Sequence, residues 1–140
     1  MPNTFPGKSH VFSDNRSIIT LSDAKSKCVY IGNNNNKKLI THYLIDGHVI
    51  SSSEIKKCDH LLLNKSDKNA IFIEIKGSDL LAAIEQITVT VDKLKDELKE
   101  YSIFARIVLT RVIKQSNLKK IYNKSAHPKN GDWFIFLCLL

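Results

Sequence analysis

At 140 residues and 15.9 kDa the chain has the length of one domain, and 43% hydrophobic with 25% charged residues is a folded, globular composition rather than a disordered one. No apolar run reaches the roughly 18 residues of a membrane helix, and the start MPNTFPGKSHVF has no long apolar block, so the expectation is a cytoplasmic protein without a membrane partner. The net charge of +7 is unevenly spread: residues 1–50 carry +3, residues 51–101 carry −2 and residues 102–140 carry +6.

The basic excess of the last third lies in Arg106, Arg111, Lys114, Lys119, Lys120, Lys124 and Lys129. Lys and Arg that neutralise phosphates release condensed counterions, so such a segment attracts a polyanion, with nucleic acid the natural candidate. A solvated lysine-rich face is the plain alternative. Cys28, Cys58 and Cys138 are odd in number, far apart and form no CxxC pair, which points to buried small hydrophobes rather than a disulfide framework or a zinc finger. His10, His42, His48, His60 and His127 show no recognised metal-ligand spacing.

In chain order, residues 1–30 contain Pro2, Pro6, Gly7 and many Ser and Asn, and read as a loosely structured arm with one short helix near residues 14–27. Asn33 to Asn36 suit an exposed turn. KLITHYLI (38–45) predicts a strand, Asp46-Gly47 a tight turn, and HVIS (48–51) a short arm pairing back. CDHLLLN (58–64) and AIFIEIKG (70–77) predict two further strands, so the centre of the chain is a β-meander. After Gly77 the period changes. Ser78 or Asp79 can cap a helix, and Leu80, Ile84, Ile87, Val91, Leu94, Leu98 and Tyr101 follow at helical steps. That stripe packs on the sheet, or alternatively forms a coiled-coil seam. IFARIVLTRVI (103–113) then predicts a strand, NLKKIYNK (117–124) a short basic helix or turn, and WFIFLCLL (133–140) a buried terminal strand. This order belongs to an α/β or α+β domain.

Three charges interrupt the apolar strands: Asp59 near the start of one, Glu74 and Lys76 near the end of the next. Strand alternation puts Glu74 and Lys76 on one face, and burying them is costly without a purpose. A four-residue loop at 65–68 that pairs Asn64 with Asn69 also pairs Asp59 with Glu74, and the three charges converge; a five-residue loop points Asp59 the other way unless a bulge restores the phase. Two carboxylates so close repel each other unless a divalent cation sits between them, and Mg²⁺ or Mn²⁺ meets that need. A metal on Asp59 and Glu74 with Lys76 beside it suits phosphodiester hydrolysis. A cross-strand salt bridge between Lys76 and an acid is the structural alternative.

CDHLLLN, the 14 residues between Asp59 and Glu74, and Glu74-Ile75-Lys76 followed by GSDLLAAIEQ resemble the PD-(D/E)xK nuclease superfamily over about residues 38–113. The resemblance implies a restriction-endonuclease-like core of mixed sheet, with a β-meander, a long helix and a following strand. It implies a single nuclease-like domain over 1–140, with 1–30 as the arm and 114–140 as a basic C-terminal extension. It further implies Asp59, Glu74 and the Ile75 carbonyl as ligands of Mg²⁺ or Mn²⁺, Lys76 as the catalytic lysine, and Gln86 as an auxiliary contact. Cys58 stands where the name-giving proline would be, and the first-helix glutamate of many members has no counterpart. Asp46 is the first substitute as a further metal ligand and Glu54 the second. The expected activity is metal-dependent cleavage of nucleic acid, DNA ahead of RNA, in restriction, phage defence or repair. A catalytically silent nucleic-acid-binding or protein-interaction module and a toxin-like RNase are the rivals. The end on FLCLL, without a polar cap, leaves room for a homodimer or a partner protein.

Overall fold

The computed structural model describes residues 4–22, 28–51, 57–75, 79–109 and 133–139. The fold is mixed α+β. A six-stranded sheet runs in the order β1 (Phe12–Asp14), β4 (Ile40–Leu44), β5 (His60–Asn64), β6 (Asn69–Ile75), β7 (Ser102–Leu109) and β8 (Trp133–Leu139). β1, β4, β5 and β6 pair antiparallel, while β6, β7 and β8 pair parallel. A separate antiparallel hairpin joins β2 (Ile18–Ser22) to β3 (Val29–Asn33).

The predicted meander is β4–β5–β6, joined at its second turn by a four-residue loop. Asn64 closes that loop, accepting from the Asp67 N–H at 3.1 Å and donating to its carboxylate at 3.0 Å. Lys68 takes the left-handed conformation, with φ of 56°. Asn64 therefore faces Asn69, the register that brings Asp59 toward Glu74.

β5 is buried throughout because both faces of the sheet are covered, which is why HLLLN reads as a continuous run rather than an alternating one. On one face Leu61, Leu63, Phe72, Ala105 and Ile107 pack against α1 (Leu80–Leu94). On the other, Leu62, Ile73, Ile75 and Val108 pack against Ile19, Leu21 and Tyr30 of the hairpin. The Asp79 carboxylate caps α1, accepting from the Ala82 N–H at 3.0 Å. The helix lies on the sheet and links two parallel strands, as a crossover must. It stops at Leu94, short of the predicted Tyr101, although turns over 95–100 keep Leu98 buried.

Two expectations are corrected. Residues 14–27 hold no described helix: Ile19 and Leu21 alternate inward as a strand, and Phe5 packs edge-on against Tyr43 at 5.0 Å, so the arm contributes to the core. HVIS (48–51) forms no strand against β4, whose edges carry β1 at residues 40–42 and β5 at residues 40–44; what returns to β4 is the Val49 N–H, donating to the Leu44 carbonyl at 3.3 Å. The chain instead curls on itself around Gly47 (φ 82°), with the Ile50 N–H donating to the Ile45 carbonyl at 3.0 Å. The predicted basic helix at 117–124 and strand residues 110–113 lie outside the described residues. No helix among the described residues is long and apolar enough to cross a membrane.

Candidate functional site at the ends of β5 and β6

The β5–β6 ladder closes at His60 opposite Ile73. The next step toward Asp59 and Glu74 is made with carboxylates in place of main-chain carbonyls. The Asp59 N–H donates to Glu74 Oε2 at 3.0 Å, and the Ile75 N–H donates to Asp59 Oδ2 at 3.2 Å. Glu74 is 2% exposed and Asp59 half-buried. The end of β4 joins the same corner, since the Ile45 N–H donates to the Asp59 carbonyl at 3.0 Å. Burial pushes the Cys58 thiol well above its ordinary pKa, and the charges of Glu74 and Asp59 add to that effect. A thiol so held stays protonated and is no nucleophile.

Gln86 reaches the corner from α1, but its Nε2 donates to the Lys57 carbonyl at 3.0 Å. Its Oε1 is buried and has no hydrogen-bond partner among the described residues. Asp46 has a partner that its sequence context did not suggest: Lys57, whose side chain is only 5% exposed, places Nζ 3.1 Å from Asp46 Oδ1. Among the described residues no three His, Cys, Asp or Glu side chains group as a metal cluster. Ile75 ends β6 beside Asp59, while Lys76 and Glu54 lie outside the described residues.

Arg106, expected as a phosphate contact, donates through Nη1 to the Tyr30 hydroxyl and lies over that ring, tying β7 to the hairpin. Arg111, Lys114, Lys119, Lys120 and Lys124 lie outside the described residues.

Sequence reasoning missed a second constellation on the hairpin side of the sheet. His42 Nε2 and His60 Nδ1 share a hydrogen bond of 2.9 Å, in a buried position beside Phe12. Burial lowers the His42 pKa to about 4, helped by the nearby His60 and Arg16. The two are 18 residues apart, and only the β4–β5 register, with Leu44 facing His60, brings them together.

Two hard carboxylates fit Mg²⁺, which commonly binds through one or two carboxylates and keeps several waters. Each of these acids accepts a backbone N–H through one oxygen, which fixes its carboxylate at the sheet end. No family model, curated protein or solved structure matches this chain.

Proposed function

We propose that this chain is a PD-(D/E)xK-type nuclease that hydrolyses nucleic-acid phosphodiester bonds with Mg²⁺ or Mn²⁺, acting in the cytoplasm on DNA ahead of RNA. The observation that carries the reading is the meeting of Asp59 and Glu74 through a shared N–H to carboxylate bond. It is supported by its setting, a meander followed by a helix and a parallel strand.

In this reading Asp59, Glu74 and the Ile75 carbonyl hold the cation, which when bound polarises a phosphate oxygen and lowers the pKa of a bound water. Lys76 orients the attacking water or neutralises charge developing on phosphorus. The sheet end fixes both acids before substrate arrives, so little reorganisation accompanies the reaction. Lysines of the C-terminal third hold the polyanion without reading sequence.

One observation favours a second reading, a silent nucleic-acid-binding or interaction module: both carboxylates already satisfy backbone N–H groups, a service to the fold alone. Incubating the purified chain with plasmid, linear DNA and RNA, in Mg²⁺ or EDTA, decides between them. EDTA-sensitive cleavage of DNA supports the proposal, cleavage confined to RNA makes the chain an RNase, and no cleavage of any substrate leaves the binding module.

A further inference from the structure

The backbone entering Asp59 lies outside the β-ladder, which begins at His60, yet Lys57 is 7% and Cys58 0% exposed. Buried peptide groups need partners, and here α1 supplies two of them. Gln86 Nε2 donates to the Lys57 carbonyl at 3.0 Å, and Thr90 Oγ1 accepts from the Cys58 N–H at 2.8 Å. Residues four apart share a helix face, so these side chains take the place of a strand's main chain beside residues 57–58.

Thr90 is the less expected of the two. It is 0% exposed on the helix stripe that carries Ile87, Val91 and Leu94, where a valine of similar shape would bury no polar group. Its hydroxyl is used twice, donating to the Gln86 carbonyl at 2.7 Å and accepting from Cys58. The residue after Cys58 is Asp59, whose N–H, carbonyl and carboxylate are bound to Glu74, Ile45 and Ile75 in turn.

We propose that Gln86 and Thr90 are positioning residues, holding the chain that enters Asp59 so that its carboxylate and that of Glu74 meet a divalent cation in one geometry. The proposal rests on the nuclease reading. Neither residue need touch substrate. Groups that orient metal ligands without contacting the metal change its affinity by about 10–100-fold when removed.

The test uses the full chain, with Mg²⁺ alone and with plasmid DNA. Thr90→Val should weaken Mg²⁺ binding in calorimetry and shift the Mg²⁺ midpoint of cleavage, each by about tenfold or more. In the metal-free protein the Cys58 and Asp59 amides should exchange faster with solvent. Thr90→Ser, which keeps the hydroxyl, should restore all three. Val91→Ala, with a side chain in the same core, should lower Tm and leave Mg²⁺ affinity as in wild type. Gln86→Leu carries the same expectation as Thr90→Val and decides the matter if that variant does not fold. Wild-type Mg²⁺ affinity in the deciding variant, or no restoration by Thr90→Ser, overturns the positioning role while leaving an active nuclease. A wild-type chain that neither binds Mg²⁺ nor cleaves overturns the nuclease reading and this proposal together.

Discussion

Asp59 and Glu74 are joined from main chain to side chain: the N–H of one donates to the carboxylate of the other at 3.0 Å, and the Asp59 carboxylate in turn receives the Ile75 N–H. Each acid therefore serves two ends. In the proposed nuclease it holds a cation, and it satisfies a backbone donor where the two strands part.

Those two services separate by substitution. Asp59→Asn and Glu74→Gln keep an oxygen for the backbone N–H, and should hold stability within about 1 kcal/mol while removing Mg²⁺-activated cleavage. Asp59→Ala and Glu74→Ala strand a donor and should lose a further 1–3 kcal/mol or so. Lys76→Ala should abolish cleavage without that loss. Urea titrations beside plasmid cleavage read both quantities; wild-type cleavage in the Asn and Gln variants would end the nuclease proposal.

The basic C-terminal third should act through charge alone. Replacing Lys119, Lys120 and Lys124 with alanine should reduce the slope of log affinity against log salt on duplex DNA by about 0.9 for each phosphate no longer neutralised. Affinity should fall alike on unrelated sequences. An unchanged slope would mean that these lysines only solvate the surface.

Strand alternation has a period of two, so the sequence narrowed the register of Asp59 and Glu74 to two loop lengths, and the four-residue loop at 65–68 is the one that sets them face to face. The helix was legible from its stripe and the Asp79 cap. What could not be read was set by distant partners. HVIS has strand composition, but β1 holds residues 40–42 of the β4 edge that a full pairing would need, and the chain turns on itself around Gly47 instead. The alternation of Ile19 and Leu21 was present in the sequence, yet its meaning depended on a partner strand at 29–33. Gln86 and Thr90 meet residues 57–58 only because of where α1 lands on the sheet, and no local pattern encodes that landing.

The Asp46–Lys57 pair offers a sharper test of the proposed metal site. Lys57 is nearly buried and two residues from Asp59, while Asp46 is 66% exposed. Removing the Asp46 charge breaks its ion pair with the Lys57 ammonium, and an uncompensated positive charge two residues from a proposed metal ligand opposes cation binding. Asp46→Asn should therefore raise the Mg²⁺ midpoint moderately, about threefold to tenfold, which corresponds to roughly 0.7–1.4 kcal/mol. If Asp46 acts through Lys57, the same change in a Lys57→Met background should leave the midpoint still. An equal shift in both backgrounds would instead make Asp46 a ligand in its own right.

Acid sensitivity should arise on the opposite face of the sheet, from His42 and His60. Their nitrogens lie 2.9 Å apart, so one donates and the other accepts, an arrangement that a proton on both facing nitrogens would break. Burial lowers the His42 pKa from 6.5 to about 4, with His60 and Arg16 opposing added charge from β5 and from the segment after β1. A histidine with a depressed pKa binds fewer protons folded than unfolded throughout that interval. Its contribution to stability is thus full above about pH 6.5 and is lost progressively as pH falls toward 4. One proton limits the slope to about 1.4 kcal/mol per pH unit. His42→Gln, which keeps a hydrogen-bonding group but cannot titrate, should flatten the fall in urea midpoint between pH 6.5 and 4 relative to wild type. The difference between the two curves isolates His42 from the carboxylates that titrate in the same range. Parallel curves for the variant and the wild type would show that the His42 proton is not what acid acts upon.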